Sequence, residues 1–191
     1  MTGRLDRPRP EELDPARREV YDAITTGRRS AGRQVFPLVD ELGRLEGPFN
    51  AFLLQPRIGL ALQDLGSAIR YETSLSGRIR EIAILLVAAH EDSPFEWFAH
   101  AAAGRLAGLT EEELEAIRAG GFRGRDEVEH AAAELVGRLL AAGDLSDVEY
   151  STTVEALGEA ALFEILSLVG YYRLIALQMR VFRVTAPEAR R

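Results

Sequence analysis

The stretch Ser76-Gly77-Arg78-Ile79-Arg80-Glu81-Ile82-Ala83-Ile84-Leu85-Leu86-Val87-Ala88-Ala89-His90 decides the fold. Ile79, Ile82, Ala83 and Leu86 recur at the spacing of one helix face, and Ser76 stands where an N-cap belongs. From Ile82 to Ala89 every residue is apolar. A helix apolar on all sides is buried or spans a membrane, and this run is too short for a hydrocarbon core of about 30 Å. A buried central helix is therefore predicted, with Glu81 at the head of its apolar run.

Outward from it the same period repeats. Downstream, Ser93-Pro94-Phe95-Glu96 reads as N-cap, N1 and N3 of a helix with a reciprocal Ser93/Glu96 capping box. Thr110 with Glu113, and Ser146 with Glu149, carry the same box. Residues 126–142 form a further helical segment, and a last long helix runs from about Ala160 to Phe182. Upstream, Pro56 opens an amphipathic helix with Ile58, Leu62, Leu65 and Ile69 on one face. Asp14-Pro15 starts a helix ending near Gly27. Residues 27–36 read as a flexible loop, and a short helix is possible around Leu38 to Leu45. Alternation of β-branched residues is missing throughout. The prediction is an all-α fold of about eight or nine helices, in one domain over residues 10–184, with a loose arm at 1–9 and a tail at 185–191.

At 191 residues one domain is the default size. The 30 acidic residues outweigh 23 basic ones, all of them Arg, for a net charge of -7, which disfavours binding to nucleic acid or to an anionic membrane surface. The last helix holds Glu164, Arg173 and Arg180, charges costly at bilayer depth, so no membrane span is assigned. The N-terminal MTGRLDRPRPEEL has no apolar signal region, and a soluble cytoplasmic protein is expected. Cysteine is absent, which excludes disulfides, thiolate metal sites and cysteine nucleophiles. No metal site is expected.

Three histidines are present. His130 follows Asp126 and Glu127 and reads as a solvated residue, while His90 suits the C-terminal end of its helix dipole. His100 lies four residues after Glu96, on the same helix face, close in sequence to Trp97. Glu81, by contrast, heads a helix that must be buried. Carboxylates are rarely fully buried unless paired, and burial raises a carboxyl pKa into the range useful for proton transfer. The helices carrying Glu81 and His100 are joined by the short turn Glu91-Asp92-Ser93, so they should pack antiparallel. At about 1.5 Å rise per residue, Glu81 and His100 then lie roughly 16 and 12 Å from that turn. A seam contact between them is predicted, with Glu81 fixing the imidazole as an orienting carboxylate does.

The run from Leu75 to Leu85, then Phe95-Glu96-Trp97-Phe98-Ala99-His100, then Ala107-Gly108-Leu109-Thr110, resembles the core of the carboxymuconolactone decarboxylase family. That family shares its all-helical bundle with the alkyl hydroperoxidase D-like proteins. Gly47-Pro48-Phe49 and Leu168-Val169-Gly170-Tyr171-Tyr172-Arg173 resemble its longer members, so the likeness spans roughly residues 10–184. Its peroxidase branch carries a Glu, a CxxC and a His. Here Glu81 and His100 stand at the Glu and His positions, and Ser93 and Glu96 at those of the cysteines. Without a thiolate the resemblance implies no thiol peroxidase. What it implies instead is cofactor-independent acid/base chemistry on a small carboxylated or lactone metabolite: decarboxylation, isomerisation or hydration. Glu81 and His100 would be catalytic. Ser93, Glu96, Trp97, Arg78, Arg173 and Tyr171 would line the site, with Arg78, Arg80 or Arg173 holding a substrate carboxylate. A solvated face is the alternative for Arg78 and Arg80. The family also implies a homo-oligomer, trimer or hexamer. The rival reading is a catalytically silent helical oligomer that binds a small ligand or partner.

Overall fold

The computed structural model describes residues 3–31 and 34–186; residues 187–191 of the expected tail and residues 1–2 of the expected arm lie outside the described residues. Among the described residues there are nine α-helices and a single isolated antiparallel bridge, Val39 with Leu45. The chain divides into two compact units. One comprises residues 1–72 and 177–191, the other 73–176.

In the first unit, α1 (Pro15–Thr25) begins as its sequence dictates, Asp14 accepting from the Arg17 amide with Pro at N1. It packs against α3 (Pro56–Tyr71), which also meets the short α2 (Phe49–Phe52). The face α3 buries is Gly59, Leu62, Gln63, Gly66 and Ile69, whereas Ile58 and Leu65 of the expected stripe are 59% and 45% exposed. The reason is close approach: a Cβ at Gly59 would lie 2.2 Å from the Phe52 carbonyl oxygen. The glycine-bearing face packs and the stripe is rotated toward solvent.

The helix expected near Leu38 to Leu45 is not formed. Asp40 Oδ1 accepts from the Leu42 and Arg44 amides and Gly43 takes a left-handed φ of 74°, so a side-chain-stapled turn replaces the helical ladder. In the segment read as a flexible loop, Arg28–Ser30 form a 3₁₀ turn, and buried Arg29 donates to Gln63 Oε1 at 2.6 Å. The described part of the arm is bonded. The Arg4 amide donates to the Phe182 carbonyl, Arg7 donates to Glu46 Oε1 at 2.8 Å, and the Asn50 side chain donates to the Asp6 carbonyl.

In the second unit, α4 (Gly77–His90) is the hub, packed against α5 (Pro94–Leu106), α6 (Glu111–Arg118) and α7 (Glu127–Ala142). The α8 helix (Asp147–Leu157) packs on α7, and α9 (Glu159–Phe182) enters with its residues up to Ala176. Ile82, Ala83, Ile84, Leu85, Val87 and Ala88 of α4 are all within 1% of full burial, as its all-round apolar sequence requires. The predicted caps hold at α4, α6 and α8: Ser76, Thr110 and Ser146 each accept from an N3 amide. By length and composition α9 could cross a membrane, but here Ile165, Leu168, Tyr172 and Ile175 are buried core residues.

Candidate active site

Buried Glu81 on α4 and buried His100 on α5 meet across the predicted seam. His100 Nδ1 lies 2.7 Å from Glu81 Oε2, and the two residues are 3% and 6% exposed. The turn between their helices is tight. Asp92 takes a left-handed φ of 47° and the Ser93 amide donates back to the Ala88 carbonyl at 2.9 Å, which folds α5 against α4. The Tyr172 and His100 rings meet edge to face, at 5.1 Å between centroids and 89° between planes, and Tyr171 packs on Tyr172 in turn. The imidazole is thus held by a carboxylate at one nitrogen and by an aromatic wall. The other oxygen of Glu81 faces a cation, with Arg80 Nε 3.6 Å from Oε1. Arg80 is about one-fifth exposed, and its Nε makes no hydrogen bond among the described residues.

Such an arrangement can move protons. With Nδ1 engaged by Glu81, a proton exchanged with a bound molecule passes through Nε2, and Glu81 both fixes that tautomer and stabilises the imidazolium.

Glu96 lies one helical turn before His100 and is 3% exposed. The expected capping box is absent: Ser93 is the N-cap and Pro94 is N1, but the Ser93 side chain caps no amide. The ψ angle explains this. The side chains that do cap, at Asp14, Ser76, Thr110, Asp126 and Ser146, have ψ between 153° and 173°, whereas Ser93 has 94°. Neither Glu96 oxygen makes a well-formed hydrogen bond to a described residue. Burial pushes its carboxyl up to about 8, with the Ser93 side chain offsetting part of the rise and the nearby Glu91 charge adding to it. A first-turn carboxylate gains only about 0.3–1 kcal/mol from the helix dipole, against several kcal/mol for stripping an ion of water. Desolvation wins, and Glu96 is a neutral acid at pH 7.

The other expected lining residues are dispersed. Arg78 is neither solvated nor at the pair. It is buried and donates to Glu129 at 2.7 Å, to Glu113 at 2.7 Å and to the Gly108 carbonyl, tying α4 to α6 and α7. Trp97 packs on the cluster of Ile82, Leu85, Ala101, Leu109, Leu114 and Ile117, with the Arg118 guanidinium 4.2 Å over its ring. Arg173 is exposed, its Nε bonded to Glu91 at 2.9 Å. Tyr171 packs on Tyr172, whose ring meets His100. Sequence reasoning missed Tyr172 itself, although Ile165, Leu168, Tyr172 and Ile175 form a stripe at steps of three and four that marks the buried face of α9. His130 Nδ1 donates to the Arg123 carbonyl, and His90 is exposed at the end of α4. No cluster of three or more His, Asp or Glu side chains suited to a metal ion occurs among the described residues.

Residues 56–146, from the start of α3 to the cap of α8, match the family model of carboxymuconolactone decarboxylases. Over that stretch the chain is similar to the carboxymuconolactone decarboxylase family. The match includes both Glu81 and His100. No curated protein matches the chain in sequence. In fold it is similar to the alkylhydroperoxidase AhpD core of an uncharacterised peroxidase-related protein from Ralstonia eutropha, with TM-score 0.75 and 11% identity over 98% of this chain and 93% of that one. A second likeness is to an Agrobacterium tumefaciens protein of unknown function assigned to AhpD antioxidant defence. There the TM-score is 0.65 and the identity 16%, over 74% of this chain and 99% of the other. A third is to a cysteine-to-alanine variant of the debrominase Bmp8 in complex with 2,3,4-tribromopyrrole, with TM-score 0.65 and 11% identity over 92% and 87% of the two chains. At these identities the likeness shows the fold, an AhpD-like helical bundle.

Proposed function

We propose that Glu81 and His100 form the acid/base centre of a cofactor-independent enzyme that decarboxylates, isomerises or hydrates a small carboxylated or lactone metabolite. The observation that carries this is the 2.7 Å bond between two buried side chains inside the segment that matches the family model. Burial makes an imidazole–carboxylate pair a proton-transfer unit rather than a surface ion pair, and such units add 10²–10⁴-fold to a reaction. That one protein of this fold is a debrominase supports an enzymatic use of the scaffold. Arg80, beside Glu81 and partly exposed, is the cation suited to a substrate carboxylate, in place of Arg78. A thiol peroxidase is excluded by composition, since the chain holds no cysteine.

The test is turnover of a panel of small lactone carboxylates and keto acids, followed by NMR. Glu81→Gln and His100→Ala should each lower turnover about 10²–10⁴-fold, with the double variant little worse than either single one. Tight binding of panel members without turnover by the wild type would favour the silent ligand-binding reading instead. The same reading makes the enzyme a cytoplasmic homo-oligomer, trimer or hexamer, and Phe163, Leu166 and Leu174, exposed along α9, support an assembly surface.

A further inference from the structure

Glu96 is buried beside the proposed acid/base pair, and nothing so far uses it. It projects from the same side of α5 as His100, one turn away, and α4, which carries Glu81, packs along that helix. Ser93 lies at the head of its own helix and Glu91 in the preceding turn. Arg173 on α9 is bonded to Glu91, Arg80 on α4 faces Glu81, and Tyr172 on α9 lies against His100. No cation bonds Glu96 among the described residues, and its oxygens make no well-formed hydrogen bond there, the Ser93 side chain only offsetting part of the effect of burial. An ion there would be a bare buried charge, whereas the acid form carries a proton with no described acceptor. A neutral buried carboxylic acid is a known way to give an enzyme a donor for a developing oxyanion.

We propose that Glu96 is a second catalytic residue of this site, donating its carboxylic proton to a carbonyl oxygen while His100 removes a proton from the adjacent carbon, so that the substrate class is an enolisable carbonyl compound. This rests on the acid/base role of Glu81 and His100 stated above. In the step, His100 Nε2 takes the carbon-bound proton, and the C–H electron pair becomes the C=C bond of an enol. The C=O π pair moves to oxygen, which forms an O–H bond with the Glu96 proton. Glu96 is left as a carboxylate, and His100 as an imidazolium facing the Glu81 carboxylate. Returning the imidazolium proton to a conjugated carbon, and the enol proton to Glu96, gives an isomer and restores the site. No external reductant or oxidant is needed.

Two measurements test it. The infrared spectrum at pH 7 should show the C=O stretch of a protonated carboxyl, lost in Glu96→Gln. p-Nitrophenol, whose phenolate oxygen imitates an enolate and whose colour reports ionisation, should bind the wild type. Glu96→Met, matched in size but without a donor, should bind it at least tenfold more weakly, and Glu96→Gln, which keeps an N–H donor, within a few-fold. Absence of the infrared band, no p-nitrophenol binding by the wild type, or equal binding by Glu96→Met would overturn the proposal. If Glu81→Gln and His100→Ala lower turnover of the panel while Glu96→Gln does not, only the role of Glu96 falls. If the first two variants turn over normally, the acid/base reading falls and takes this one with it.

Discussion

Replacing Glu96 with glutamine should stabilise the protein, and by an amount that grows with pH. In the folded state its carboxyl titrates near 8 because burial penalises the anion, while in the unfolded chain it titrates in the ordinary range near 4.5. Below that unfolded value both states hold the proton and the group is neutral to stability. As pH rises the unfolded chain loses the proton first, so unfolding is favoured progressively until the folded pKa is passed, and the penalty then levels off. At 1.36 kcal/mol per pKa unit, the penalty grows by about 4 kcal/mol between pH 5 and pH 9, and about 2.5 kcal/mol of that falls between pH 5 and pH 7. Glutamine has the same shape and no titration, so the difference in urea-unfolding free energy between Glu96→Gln and the wild type isolates this group from everything the two proteins share. Measured at pH 5, 7 and 9, the difference should climb steeply and then flatten. A pH-independent difference would show that Glu96 is solvated or paired in solution, and the neutral acid assigned to α5 would be wrong.

Arg78→Met should destabilise by about 3 kcal/mol, near the lower end expected when one partner of a buried ion pair is removed, because Glu129 keeps Arg125 at 3.1 Å. Arg78 holds the Glu113 and Glu129 carboxyls below the ordinary carboxylate range. That stabilisation is present above the unfolded pKa and disappears as pH falls through the folded one, so the variant should also unfold at a higher pH on acidification, read by circular dichroism. Ser76→Ala should remove about 1 kcal/mol through its lost cap, whereas Ser93→Ala should leave helix capping untouched and move the Glu96 titration further upward, seen by carbon NMR of the carboxyl; an equal stability loss from both would refute the ψ-angle explanation. Sedimentation equilibrium at micromolar concentration should give an oligomer, and Phe163→Glu should reduce it toward monomer; a wild-type monomer would end the assembly reading.

The helical order of the chain was legible because caps and periodicity agree with burial: α1, α4, α6 and α8 all start at the oxygen-bearing side chain their sequences offer. The Glu81–His100 contact was legible for a geometric reason, since a three-residue turn leaves little freedom in the height of residues on either side. Three features were not. Ser93 and Glu96 match a capping pattern by residue type, but the pattern says nothing of ψ, and ψ is set by the tight turn at Asp92. Arg78 looked like a surface or substrate-binding cation because its partners, Glu113 and Glu129, lie 35 and 51 residues away, beyond the reach of local spacing. The rotation of α3 was hidden because an apolar count scores leucines and overlooks glycines, and at Gly59 it is the missing side chain that selects the packed face.

The knot of Arg78, Glu113 and Glu129 also shapes how this sequence can drift. A single replacement at Arg78 or Glu129 leaves a charge held away from water with fewer partners, so a lineage carrying one such change crosses a valley before a second restores it. An apolar pair in place of Arg78 and Glu129 would be tolerated, yet it is two steps away and the first is penalised. Position 78 should therefore stay arginine in descendants even where the reaction changes. Lysine, with no planar fork, could not serve Glu129, Glu113 and the Gly108 carbonyl at once. Fixity at this position in a set of descendants would then record the burial of a scaffold joint, and would be a poor guide to where the chemistry happens.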